Sequence, residues 1–235
     1  MLNKAQHPLS TGNSESPLAR LLRRVTGPSL LVLHLDTRQL EKDGFNFLQL
    51  IHEAVPSYRE QGVRVEVVAT TTLQELRDRV ESFKAKGLTF DFVTIIGHGH
   101  SEGIRIASDR VAAWGEIAEL LQPFTPKKLM LLACESGRWP SAKVLFDKLG
   151  ELSNIFACPV VTTKVQAELL LSVLPLLFVT KSVEPDAMVL GQLMLGLFAK
   201  GQMRHWTRDD MNKPMDGVVL DLGAQLLDLY IKELF

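Results

Sequence analysis

Five short apolar runs, separated by segments of helical periodicity, constrain the fold of this 235-residue chain more than any other feature. Continuous apolar runs are typical of strands buried on both faces, and strands that alternate with helices favour a parallel sheet. We therefore predict a three-layer α/β sandwich with a mostly parallel central sheet. The predicted strands are 29–36, 63–69, 90–97, 127–133 and 157–163, and the predicted helices are 45–60, 72–86, 112–121 and 141–152.

The two ends of the chain differ from this central pattern. Residues 1–27 are rich in Ser, Asn and Pro, which predicts a flexible N-terminal arm, and residues 28–235 then form one domain. Beyond residue 163 we predict two apolar helices, a polar stretch, a further strand and a closing helix. These segments lie at 166–178, 186–199, 200–216, 217–222 and 226–234.

Charge and composition exclude several functional classes. Lys and Arg total 26 and Asp and Glu total 27, so no net charge favours nucleic acid or an anionic membrane as a partner. The first residues lack an apolar signal region, and the apolar stretch at 169–180 is shorter than the roughly 20 residues that span a bilayer. Two cysteines do not make a disulfide framework. We expect a soluble, cytoplasmic protein.

Reactive side chains follow two consecutive strands of the predicted sheet. His98 follows the third strand in a glycine-rich loop, and Cys134 follows the fourth. The carboxyl ends of adjacent parallel strands lie about 5 Å apart, which brings a thiol and an imidazole within reach of each other. A thiolate is a nucleophile, and an imidazole can take its proton. The backbone amides of Gly99 and Cys134 are candidates for holding a developing oxyanion.

Each of these residues has a competing interpretation. A cysteine after an apolar run is usually a small buried hydrophobe, which is how we interpret Cys158. His100 competes with His98 for the role of the imidazole. The same His-x-His pair would open a zinc site only if further ligands folded back onto it. The available ligands are His205, Asp209 and Asp210, of which the two acids are also typical helix N-terminal charges.

Two sequence blocks together resemble the caspase-like (clan CD) cysteine peptidases. FVTIIGHGHSEGI ends an apolar strand in His-Gly, and KLMLLACESG ends the next in Ala-Cys, in a form that looks most like the CHAT branch. The resemblance covers residues 29–163. It implies the caspase-hemoglobinase fold, His98 as the catalytic imidazole because it precedes Gly99, and Cys134 as the nucleophile. The Gln-Ala-Cys-Arg-Gly form of the caspases proper is absent, so specificity for Asp is not implied.

The resemblance also implies an activity. A cysteine endopeptidase of this kind needs no metal or other cofactor and cleaves a protein substrate, in a regulated or defence pathway that can include an activating partner protein. Its substrate would contact Asp36, Glu135 and Thr163, and Asp36 would offer a carboxylate to a basic P1 side chain. Asp36 as a strand-end cap or a surface charge is the plainer interpretation. The alternative functions are a catalytically silent interaction or sensor module and a His-x-His metal-dependent hydrolase.

Overall fold

The computed structural model of the chain describes residues 27–44, 46–60, 62–107, 110–158 and 204–212. Short 3₁₀ helices at Gln122–Phe124 and Arg208–Asn212 complete the described elements. In chain order the other elements are β1 (Ser29–Leu35), α1 (Thr37–Lys42), α2 (Phe47–Glu60), β2 (Arg64–Thr70), α3 (Leu73–Ala85), β3 (Phe92–Ile96), β4 (Gly99–His100), β5 (Gly103–Ala107), β6 (Arg110–Ala113), α4 (Trp114–Leu121), β7 (Lys128–Leu132), α5 (Trp139–Lys148), β8 (Asn154–Ala157) and β9 (Arg204–Thr207).

A six-stranded sheet of order β2–β1–β3–β7–β8–β9 forms the centre of the fold. The first five strands run parallel, and β9 runs antiparallel to β8 at one edge. The predicted mostly parallel α/β architecture is therefore confirmed. The two strands that carry His98 and Cys134 at their ends, β3 and β7, are direct neighbours.

Helices cover both faces of this sheet because its strands are apolar on both sides. All seven residues of β1 are buried. Leu31, Leu33 and Leu35 join one large cluster with the buried faces of α3, α4 and α5. The opposite face carries His34, whose ring meets that of Phe47 from α2 edge-on. Alternation of side chains along β1 thus places α2 on the face opposite α3, α4 and α5.

Local signals explain where two helices begin and continue. Thr72 caps α3, since its hydroxyl accepts a hydrogen bond from the Glu75 amide at 3.1 Å. The Glu75 carboxylate accepts one in return from the Thr71 amide at 2.8 Å, which lowers the pKa of Glu75. The pattern Thr-x-x-Glu is typical of a capping box, and here the returning carboxylate bond goes to the amide one residue before the N-cap. Pro56, by contrast, does not break α2, which continues through it to Glu60.

Several elements differ from the sequence prediction. The fifth strand begins at Asn154, three residues before the predicted 157–163, because the apolar run from Ile155 onward fits either start and pairing with β7 selects the earlier one. The stretch predicted as polar at 200–216, for which no strand was predicted, contains β9. The prediction also omitted α1 and the small antiparallel sheet formed by β4, β5 and β6.

The remaining predictions fall outside the described residues. These are the N-terminal arm up to residue 26, residues 159–163 of the fifth strand with Thr163, and the predicted elements at 166–178, 186–199, 217–222 and 226–234. Within the described part of the chain, no helix is both long and apolar enough to cross a membrane.

Candidate active site

The register of three adjacent strands brings the candidate residues to one level of the sheet. Ile96 at the end of β3 pairs with His34 of β1 on one side and with Leu132 of β7 on the other. Two residues beyond this level on the three strands stand Asp36, His98 and Cys134. Neighbouring strands lie about 4.8 Å apart, so the backbone at His98 lies between the backbone at Asp36 on one side and that at Cys134 on the other.

The loop that carries His98 lies directly against the turn that carries Cys134. A Cβ atom built on Gly99 would lie 2.5 Å from the Cys134 nitrogen and 2.6 Å from the Ala133 carbonyl carbon, and closer still to the Cys134 carbonyl oxygen. Real Cβ atoms do not approach other atoms this closely, so only glycine fits here. The residue after His98 and the backbone of Cys134 are therefore in contact, which joins the two halves of the site.

The Cys134 turn is fixed by hydrogen bonds to its own strand and to the neighbouring one. Buried Ser136 donates its hydroxyl to the Ala133 carbonyl at 2.6 Å. The Gly137 amide donates to the Cys158 carbonyl at 2.8 Å, and the indole N–H of Trp206 in β9 donates to the Gly137 carbonyl at 3.0 Å. These bonds hold the turn at the end of β7 in one position.

The two cysteines differ in access to solvent. Cys134 is half-buried and carries a free thiol, whereas Cys158 is completely buried. Burial of Cys158 confirms its interpretation as a core residue. A reagent or substrate that enters the site from solvent can reach only the thiol of Cys134 without unfolding the protein.

His98 is held by its backbone and faces a carboxylate. Its carbonyl accepts a hydrogen bond from the Arg105 amide in β5 at 2.8 Å. Its Nε2 lies 3.0 Å from Oδ2 of Asp43, at an ion-pair distance, although the ring N–H is not aligned with that oxygen for a hydrogen bond. The His98 side chain is 29% exposed, so the ring is partly accessible from solvent.

His100, the rival imidazole, occupies a different environment. It is exposed in β4, and its Nδ1 lies 3.4 Å from the Glu102 amide of the following turn. His100 is also two residues further from the end of β3 than His98. The register of the sheet therefore places His98, and not His100, level with Cys134.

Asp36 is buried rather than exposed, so its interpretation as a surface charge is wrong. It is 4% exposed and adopts a left-handed conformation with a φ of 53°. Its carbonyl accepts the first hydrogen bonds of α1, but its side chain caps nothing. Within the described residues its Oδ2 has no hydrogen-bond partner. Burial raises the pKa of Asp36, against the opposing influence of the charges of His98 and Arg105.

Backbone strain concentrates at this edge of the sheet. Of the described residues other than glycine, three have a positive φ, namely Asp36, Glu135 and Thr125. The first two directly follow β1 and Cys134. A non-glycine residue in this region costs about 1–3 kcal/mol, and such residues cluster at functional sites, where the surrounding structure holds them in place.

Of the other two predicted substrate contacts, Glu135 and Thr163, only Glu135 lies within the described residues. Glu135 is half-buried beside Cys134, and its carboxylate lies 3.1 Å from the guanidinium of Arg138. Thr163 lies outside the described residues. Glu135 therefore borders the site, while the contribution of the fifth strand's end stays a prediction.

The ligands proposed for a zinc site lie elsewhere in the fold. His205 stacks on Phe156 and shares a hydrogen bond of 2.8 Å with the Asn154 side chain, and its burial lowers its pKa to about 4. β9 is separated from β3 by two strands, and Asp210 caps the 3₁₀ helix by accepting hydrogen bonds from Thr207. In the described ranges, no group of three or more His, Cys, Asp or Glu side chains is arranged to hold a metal ion.

Sequence reasoning missed the residues that reach the site from outside the strand ends. Asp43 approaches His98 only because α1 folds back over the end of β1, and Arg105 does so through the small sheet. The signal for the first was available in Asp43-Gly44, a typical turn pair, but a turn does not reveal what it faces. No protein-family model matches the chain, and no curated protein matches it.

Proposed function

We propose that this protein is a cysteine endopeptidase of the caspase-like fold, related to the CHAT peptidases. The observation that supports it most is the contact between Gly99 and the backbone of Cys134, together with the common register of His98 and Cys134. A thiol and an imidazole at equivalent ends of adjacent strands are the two groups that thiol-dependent acyl transfer requires. The mostly parallel sheet with helices on both faces is compatible with this fold.

The chemistry follows from the positions of these groups. The Cys134 thiol gives its proton to His98, and the resulting thiolate attacks the scissile carbonyl carbon to form a C–S bond. Amides of Gly99 and Cys134, whose backbones are in contact, stabilise the oxyanion. His98 then returns the proton to the leaving amine as the C–N bond breaks. Water attacks the thioester that remains, and the released acid and the thiol complete the cycle.

We also propose where the enzyme acts and what it requires. The enzyme needs no cofactor, acts in the cytoplasm on a protein substrate cut at one or few sites, and serves a regulated or defence pathway in which a partner protein activates it. A catalytically silent interaction module is the second possibility for such a fold, and cleavage distinguishes the two. The chain has both His98 and Cys134, and their presence favours an active enzyme over a silent module.

The experiment is cleavage of a proteome-derived peptide library, read as new N-termini by mass spectrometry. Wild-type protein should generate a defined set of cleavage sites. Cys134→Ala and His98→Ala should each remove them, because one lacks the nucleophile and the other the proton carrier; general acid–base catalysis alone contributes about 10²–10⁴-fold.

Cys158→Ala is the matched control, because it removes the other thiol from a position that solvent does not reach. It should retain the wild-type cleavage sites. Cleavage that persists in Cys134→Ala, or that a chelator stops while a thiol alkylator does not, would contradict the mechanism. A wild-type protein that cuts no peptide in the library, and no protein in a whole lysate, would instead favour the silent module.

A further inference from the structure

We propose that Asp43 is the third member of this site, a positioning residue that orients the His98 ring and stabilises its protonated form. This inference rests on the proposed function, because it assigns a role within that reaction. The observation behind it is the distance of 3.0 Å between Asp43 Oδ2 and His98 Nε2. None of the sequence patterns at the strand ends includes Asp43, which directly follows α1 and is not part of the sheet.

Asp43 is held at the end of α1 by contacts to its main chain and side chain. Its amide donates to the Gln39 carbonyl at 3.0 Å, and its Oδ1 accepts a hydrogen bond of 2.9 Å from the Gln39 side-chain amide. Gly44 follows with a φ of 80° and ends the helical turn. With Oδ1 engaged by Gln39, Oδ2 is the oxygen that faces the imidazole.

The position of Asp43 determines which ring nitrogen of His98 takes part in proton transfer. A carboxylate beside Nε2 favours the tautomer that carries its proton there and leaves Nδ1 as the basic nitrogen. Nδ1 then accepts the thiol proton and delivers it to the leaving amine, while Asp43 itself exchanges no proton. The carboxylate stabilises the imidazolium that exists between these two transfers, as acidic residues do beside the imidazole in other catalytic triads.

Asp36, the other acid near His98, is less suited to this role. It is buried, its pKa is raised by burial, and no hydrogen bond or ion pair joins it to the imidazole among the described residues. Asp43 is 39% exposed and makes the ion-pair contact. Because water also reaches the Asp43 carboxylate, its removal should cost less than loss of a fully buried triad acid.

The charged and titratable groups at this end of the sheet come from several elements. Asp36, which follows β1, interacts electrostatically with His98, with Asp43 and Lys42 at the end of α1, and with Arg105 of β5. The Cys134 thiol follows β7. A pH profile of the site reflects all of these groups together. A difference between the profiles of wild type and Asp43→Asn reports the contribution of the Asp43 charge, because the other groups are unchanged.

The test compares Asp43→Asn, Asp43→Glu and the control Asp147→Asn, which alters an exposed carboxylate on α5 that pairs with Lys143. The substrate is a peptide that wild type cleaves in the library experiment. Asp43→Asn should lower kcat about 10- to 100-fold, short of the full effect of an acid–base residue, with KM nearly unchanged. Asp43→Glu should restore part of kcat, and Asp147→Asn should match wild type.

A second readout separates positioning from a structural role. The rate at which iodoacetamide alkylates Cys134, measured from pH 5 to pH 9, should change its pH dependence in Asp43→Asn and not in Asp147→Asn. Gln39→Ala, which frees Oδ1 but keeps the charge, should reduce kcat by a smaller factor. Thermal unfolding of each variant should show that α1 and the domain remain folded.

The outcomes distinguish this inference from the proposed function. An active wild type whose Asp43→Asn variant has the same kcat and the same alkylation profile overturns the role of Asp43 and leaves the peptidase intact. Loss of kcat accompanied only by a lower melting temperature, with the alkylation profile unchanged and no rescue by Glu, overturns it too. A wild type without cleavage activity overturns both.

Discussion

Two histidines near the end of the same strand pair illustrate how environment decides chemistry. His34 in β1 is completely buried, and neither ring nitrogen has a hydrogen-bond partner among the described residues. His98, two residues beyond the level of His34 in the sheet, is partly exposed beside the carboxylate of Asp43. Burial without a partner favours the neutral form of His34, whereas partial exposure leaves the His98 ring accessible from solvent.

Burial of His34 predicts that the protein loses stability in mild acid. Desolvation lowers the pKa of His34 from the ordinary value of 6.5 to about 4. Between these values the unfolded chain binds a proton that the folded chain excludes, so the free energy of unfolding falls as the pH falls below 6.5. At pH 5 the loss from this group is about 2 kcal/mol. His205, whose pKa is lowered to a similar value, acts in the same direction.

Urea denaturation of wild type and His34→Leu at pH 7.5 and pH 5 measures this loss. The variant should lose less stability than wild type between the two values, and His52→Gln, on the exposed face of α2, should behave like wild type. An equal loss in wild type and His34→Leu would show that His34 does not titrate in this way.

Among single residues, the sequence pointed to the candidate site residues that directly follow strands. It missed the residues that approach the site only in the folded structure. His98 and Cys134 could be identified because each comes directly after an apolar run. Buried Asp36 was located correctly, but its burial was not expected, since a strand-end acid is usually solvated. Asp43 could not be found, because its distance to His98 depends on the direction in which α1 leaves β1.

Among the elements, β4 and the turn after β7 make the tightest contact of the site, between Gly99 and the backbone of Cys134. Gly99 begins β4, and the space for its missing side chain is filled by the backbone of Ala133 and Cys134. Neither backbone can yield easily, because hydrogen bonds through Ser136 and Gly137 fix the turn. The separation between β4 and the end of β7 is therefore set by the absence of a Cβ atom.

Gly99→Ala should push β4 away from this turn. Overpacking of this kind costs about 1–3 kcal/mol of folding stability, and a displacement of about 1 Å between reacting groups lowers a rate about 100-fold. Urea denaturation and the cleavage rate measure the two effects.

Gly150→Ala is the matched control, because a Cβ atom there would meet nothing within 4 Å. It should retain both stability and activity. Wild-type stability and cleavage in Gly99→Ala would show that the contact between the two loops is not needed for the site.

The sequence predicted the elements of the large sheet well and the small sheet not at all. The four predicted strands of β1, β2, β3 and β7 are confirmed to within two residues at each end, because long apolar runs leave few alternatives. The segment that forms β4, β5 and β6 is short and glycine-bearing, and its pairing is set by contacts such as that of Gly103 against Ala112. Such contacts do not appear in the periodicity of the chain.

For the molecule as a whole, the fold gathers chemistry at one edge of one sheet. Parallel β1, β3 and β7 end at the same level, and the crossover connections leave their carboxyl ends free to carry loops. β9 supports this edge from the side, since Trp206 reaches the turn after Cys134. The same arrangement buries Cys158 while leaving Cys134 partly accessible, so solvent reaches one of the two thiols in the folded molecule.

The assignment of His98 and Cys134 as a catalytic pair is tested most directly by identifying the residue that forms a covalent bond with a substrate-like inhibitor. Folded wild-type protein would be treated with a library of peptidyl acyloxymethyl ketones, and each cysteine peptide would be examined by mass spectrometry. We predict that a subset of peptide sequences labels Cys134, that labelling falls sharply in His98→Ala, and that Cys158 stays unmodified until the protein is unfolded. Labelling of Cys134 that is independent of both peptide sequence and His98, or its absence, would contradict the assignment of these two residues as the catalytic pair.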